Sequence, residues 1–83
     1  MALSVPTVHL NGTSQTELLT QLTTAADAVR DAITAVQKAC PNGRDYYPQG
    51  RDATQEALRQ HDNRLRCMAD VLCELVEIAE AVA

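Results

Sequence analysis

One seam dominates the second half of this chain. Leu58, His61, Leu65, Met68, Leu72, Leu75, Ala79 and Val82 follow one another at alternating steps of three and four. That is the heptad spacing that holds one face of an α-helix against a neighbour in left-handed packing. It predicts a helix over 52–82, starting near Asp52 with Gln55 as a weaker capping-box partner. Beyond Arg66 the apolar face widens to include Val71, Val76 and Ile78. One partner helix cannot cover a face that wide, so an intermolecular bundle, dimeric or larger, is expected to bury the excess.

The first half supplies a second amphipathic helix. Ser14 and Glu17 form a capping box, in which each side chain satisfies a backbone N–H at the helix start. Leu18, Leu22, Ala25, Val29, Ala32 or Ile33, Val36 and Cys40 then recur at steps of three and four, with no Gly or Pro before Pro41. The spacing predicts a helix over 15–40, about 39 Å long at 1.5 Å per residue. Residues 1–13 read as an arm: Val8 and Leu10 alternate with Thr7 and His9 as in an extended segment, before Asn11-Gly12 turns the chain. The expected fold is all-α. An antiparallel two-helix hairpin over 14–83 (helix 15–40, loop 41–51, helix 52–82) carries an extended N-terminal arm and assembles into an oligomeric helical bundle.

Size supports the assembly. A chain of 83 residues buries only about 60% of the surface its unfolded form exposes, so help from a partner subunit, metal or disulfide is expected. Cys40, Cys67 and Cys73 are odd in number and contain no C-x-x-C pair, so neither a disulfide framework nor a zinc site reads naturally. Association of identical chains remains. The thiols are expected to be free and packed as small hydrophobes. No apolar run approaches the roughly 20 residues of a membrane span, and MALSVPTVHL has neither the charged start nor the apolar core of a secretory signal. The expected location is a reducing cytosol, with no membrane partner.

The net charge of −4 argues against a general nucleic-acid binder, since phosphate backbones are held by a surplus of Lys and Arg. Its distribution is uneven. From Lys38 to Arg66 six bases face four acids, whereas after Arg66 there are only Asp70, Glu74, Glu77 and Glu80. One end of the molecule should be mildly positive and the other clearly negative.

The connecting segment PNGRDYYPQG, residues 41–50, is compositionally distinct. It holds two of the three prolines, two of the three glycines and both aromatic residues, Tyr46 and Tyr47. Pro41 stops the first helix, Asn42-Gly43 is expected to turn the chain with positive φ, and Pro48 stiffens the exit. A stiff loop loses less entropy when a ligand docks. Arg44 offers a planar fork for phosphate or carboxylate, the two tyrosines offer ring faces for a base, and Asn42 and Gly43 let a ligand approach the backbone. The alternative is structural: the tyrosines plug the open end of the hairpin, and Arg44 pairs with Asp45 or an acid of the second helix.

Elsewhere the chemistry is sparse. No nucleophile, base and acid stand at a suggestive spacing, and no His and carboxylate four residues apart set two ligands on one helical face. The chain therefore reads as a binding protein without cofactor or metal, not as an enzyme. His61 interrupts the seam between Leu58 and Leu65. It either fixes register and partner choice, reaches a ligand beneath the loop with Arg64 one turn further on, or is a core histidine satisfied by a carbonyl or a second subunit. His9, Asn11 and Thr13 surround Gly12 in HLNGTS, as a turn and cap or as binding groups. They sit at the opposite end of the first helix from the loop, so the two segments can share a pocket only across an interface in an antiparallel assembly. The acids Glu74, Glu77 and Glu80 form an exposed face that opposes the macrodipole of the second helix and would welcome a basic partner.

HLNGTS, the helix after it, PNGRDYYPQG, and His61 with Arg64 together resemble a group of short helical proteins from tailed bacteriophages and prophages. The resemblance covers nearly the whole chain and implies a phage-encoded accessory protein made in the host bacterial cytosol. Small phage helical hairpins include oligomeric sponges that hold cyclic nucleotides or other nucleotide alarm signals between subunits, countering host defence. The likeness to that class is one of architecture. It implies a homo-oligomer that sequesters a small anionic, nucleotide-like ligand. A protein-interaction module docking through its apolar and acidic helix faces is the alternative.

Overall fold

Ser14 opens the first helix of the computed structural model, which describes residues 3–83. Its Oγ accepts the backbone N–H of Glu17 at 3.2 Å from an extended backbone. Helix α1 runs over Gln15–Lys38, α2 over Gly43–Tyr46, a 3-10 turn over Tyr47–Gln49, and α3 over Ala53–Val82. No strand occurs among the described residues. The first two residues of the expected arm lie outside them, and the rest of the arm is irregular up to a turn in which Gly12 N–H donates to His9 O at 3.2 Å.

Helix α1 stops two residues before the expected Cys40. Ala39 already leaves helical geometry (φ −89, ψ 18), and Cys40 N–H reaches back three residues to Gln37 O. The cause is Pro41, whose ring disfavours helical backbone in the residue before it. Segment 41–51 was expected to be irregular, but it folds into α2 and the 3-10 turn. Asn42 does not turn with positive φ. It sits extended (φ −109, ψ 131), and its Oδ1 accepts the N–H of Arg44 at 3.0 Å, capping α2. Positive φ falls instead at Gly50 (φ 120), the one such residue among those described. The Asp52–Gln55 capping box does not form, because Asp52 is itself near helical geometry and its side chain makes no cap bond.

Two contacts fix how the long helices meet. Gln15 Nε2, at the start of α1, donates to Val82 O at the end of α3 at 2.8 Å. Gly43 backs onto Thr54, whose side chain lies 3.7 Å from where a Cβ would stand. The helices therefore pack side by side in opposite directions. With equal rise in each, Leu22 is level with Leu75, Val29 with Met68 and Val36 with His61, to about one turn. All eight seam positions of α3 are buried or half-buried, as are Leu18, Leu22, Ala25, Val29, Ile33 and Val36 of α1, with Ile33 rather than Ala32 turned inward.

The resulting core is thin. Among the described residues only Ala26, His61 and Val82 are buried, each still 5–6% exposed, and Val71 remains half exposed. The chain, arm included, measures 61 × 25 × 16 Å, and among the described residues no third long helix covers the outer faces of the layer. Its surface of 6318 Å² exceeds by about 1,500 Å² that of a compact chain of this mass. The extended arm and the uncovered helix faces supply that excess. The cysteines correct the expectation of packed thiols: Cys40, Cys67 and Cys73 are all exposed. Cys40 lies past the end of α1, and Cys67 and Cys73 lie off the seam on opposite sides of α3.

Candidate functional site

The loop end gathers most of the residues singled out by sequence. Asn42 Oδ1 takes both the backbone N–H of Arg44 and, at 3.4 Å, its Nε. The guanidinium is thereby held beside its own cap. It pairs with neither Asp45 nor an acid of α3, since the ion pairs among the described residues are Arg30–Asp27 and Arg59–Glu56. Tyr47 is 75% exposed, so it does not plug the hairpin. Tyr46, half-buried, does lean on α3. Its ring borders a cleft of about 220 Å³ with Gln49, Ala53, Glu56, Ala57 and Gln60.

That cleft contains one half of an ion pair that the sequence analysis did not single out. Glu56 accepts from Arg59 at 2.6 and 3.0 Å and from Gln60 Nε2 at 3.1 Å. The hydrogen bond from Arg59, then that from Gln60, holds its carboxyl down at about 2, while Glu56 in turn pushes Arg59 up. The signal was present: Glu56 and Arg59 are three apart, and residues three and four apart are neighbours on a helix surface. Glu56 in the wall of the cleft is thus committed to an ion pair, while Arg44 and Arg51 of the loop have no ionic partner among the described residues. A second, more open depression of about 380 Å³ lies between Gln55, Leu58, Arg59 and Asp62.

No family model, curated protein or solved structure matches this chain. What the loop can do therefore follows from its own chemistry. Drug-sized and cofactor ligands occupy roughly 300–1,000 Å³ of concave pocket, so the Tyr46 cleft holds part of a nucleotide at most.

The other candidates are dispersed. His61 is 5% exposed, and its Nε2 is sealed from solvent with no hydrogen-bond partner. The expectation of a core histidine satisfied by a carbonyl is not met within the chain. His61 faces the helix–helix seam rather than the loop cleft, and Arg64, one turn on, is exposed. His9, Asn11 and Thr13 are exposed at the far end, about 36 Å away along α1. The ring of His9 folds over Gly12, where an added Cβ would meet Nε2 at 2.7 Å. No cluster of three or more His, Cys, Asp or Glu could hold a metal, and no helix is long and apolar enough to cross a membrane, among the described residues.

Proposed function

We infer that this chain is a non-catalytic binding protein: an antiparallel helical hairpin that works as a homo-oligomeric bundle and sequesters a small anionic, nucleotide-like ligand at its loop end. The observation that carries the ligand is the loop itself. Arg44, without an ionic partner, and the exposed ring of Tyr47 stand on a turn fixed by the Asn42 cap. A guanidinium beside an aromatic face suits a phosphate joined to a base. The Tyr46 cleft is too small for such a ligand, and neither Arg44 nor Tyr47 lines it, which supports a site completed by a second subunit. The likeness to phage proteins supplies a setting, a host bacterial cytosol in which nucleotide signals raise defence.

Thermal unfolding against a panel of nucleotides, cyclic dinucleotides and ADP-ribose derivatives tests this. A ligand at about 100 times its Kd stabilises by about 2.7 kcal/mol, which moves the melting point of a domain this size by about 16 °C. A second reading, a protein-interaction module, is favoured by the acids of α3: no basic residue occupies its last turn, and Glu74, Glu77 and Glu80 are exposed. No shift with any nucleotide, together with a basic protein partner bound directly and released by salt, would replace the first reading with the second.

A further inference from the structure

Helical geometry sorts the uncovered residues by side. At 100° per residue, Ala28, Ala32 and Ala35 fall about a quarter-turn or slightly more from the seam of α1, and all are exposed. On α3, Arg64, Cys67 and Val71 fall at a similar angle from its seam, also exposed. Because the helices run in opposite directions, both rows lie on the same side of the layer. Between Ala28 and Ala35 on α1 and between Arg64 and Val71 on α3 this side is small or apolar apart from Arg64, and exposed Gln60 and Glu74 continue the α3 row before and after that stretch. The opposite side of α1 carries the Arg30–Asp27 pair, and Cys73 lies on that opposite side of α3.

We propose that a second copy of this chain occupies the alanine side, face to face and end for end. This rests on the oligomeric part of the reading above and names its interface. Two observations select the occupant. The surface in excess of a compact chain, about 1,500 Å² shared between the arm and the two uncovered sides of the layer, leaves one side with an area of the order of the roughly 800 Å² that each partner gives to a stable interface. Charge then sets the direction. From Lys38 to Arg66 the balance is +2, and over the rest of the chain it is −6. A copy turned end for end lays the positive loop end over the negative end of its partner, whereas a copy in the same direction stacks the two negative ends. The exposed alanines let the backbones approach closely, and α3 crosses its own copy near its midpoint, at Cys67 and Val71. Turning end for end also brings Arg44 and Tyr47 of one copy towards the His9–Thr13 turn of the other. The site is thus completed from two chains.

Light scattering and thiol cross-linking on the full chain test the interface. Under mild oxidation the Cys40→Ser/Cys73→Ser variant, which keeps Cys67, should form a covalent dimer, and the Cys40→Ser/Cys67→Ser variant, which keeps Cys73, should not. Val71→Asp, at a position already half exposed, should leave the helix content intact and weaken association at least tenfold. Raising salt from 0.05 to 0.5 M should weaken association several-fold, because opposite charges face one another. Cross-linking through Cys73 instead of Cys67, a Val71→Asp protein as dimeric as wild type, or association strengthened by salt overturns this interface and leaves the oligomeric reading standing. A wild-type chain that is monomeric at 100 µM overturns both.

Discussion

Replacing His61 by Leu should make the protein more stable. The imidazole Nε2 is buried in the seam without a hydrogen-bond partner, and such an orphan costs about 1–3 kcal/mol of lost hydration. Leu has a comparable reach, matches its seam neighbours Leu58 and Leu65, and restores the heptad pattern that His61 interrupts. The variant should therefore gain about 1–3 kcal/mol. With an unfolding entropy near 2.1 cal/mol/K per residue, each kcal/mol moves the melting point of this chain by about 6 °C, so the expected rise is about 6–18 °C. Circular dichroism at 222 nm, run at two protein concentrations, measures it. His61→Ala separates the contributions, since it removes the orphan without refilling the space and should fall below the Leu variant. A lower melting point for His61→Leu than for wild type would refute the reasoning, because it would mean that Nε2 has a partner in the working assembly.

The loop separates its own residues. Arg44→Ala and Tyr47→Ala should change stability by less than about 0.5 kcal/mol, as exposed substitutions do, while abolishing ligand binding; Tyr46→Ala, half-buried against α3, should cost about 2 kcal/mol. Urea unfolding beside a binding assay distinguishes the pattern from a purely structural loop, in which binding is never seen and both tyrosines are costly. Gly50→Ala should destabilise by about 1–3 kcal/mol although nothing lies within 4 Å of the new Cβ, because φ 120 belongs to a region that L side chains rarely adopt; a neutral result would mean that the connection can relax. The Glu56 carboxyl should titrate with a midpoint about 2 rather than the ordinary 4.5. Its folded value is depressed, so its contribution is complete above pH 4.5 and is lost as pH falls from there towards 2. Carboxyl NMR reads the midpoint directly, and a value near 4.5 would show that Arg59 does not hold the carboxylate in solution.

The two long helices were legible because apolar spacing is a strong local signal. The α3 seam from Leu58 to Val82 and the Ser14 cap required only periodicity and one side chain. The loop was harder, since its conformation depends on which of two motifs Asn42 serves. Asn-Gly is a positive-φ turn when Asn begins it, but here Asn42 stays extended and caps Arg44, and the left-handed step moves to Gly50. The cysteines misled for a different reason. Cys67 and Cys73 look apolar by composition, yet each lies off the seam, where a two-helix layer has nothing to cover it. The site was legible only as a cluster. That Tyr46 turns inward while Tyr47 faces solvent depends on the 3-10 turn, which no pairwise spacing in PNGRDYYPQG specifies.

A core of three buried residues has a consequence for dosage. If the partner copy supplies the missing burial, folding and association become one equilibrium, and stability is a function of copy number as much as of sequence. Each tenfold dilution below the assembly threshold removes about 1.4 kcal/mol of the driving force for pairing. Early in expression, at low abundance, the chain would be a loosely held pair of helices with an incomplete site. It would become competent abruptly once enough copies had accumulated, a concentration threshold set by the thinness of one helical layer.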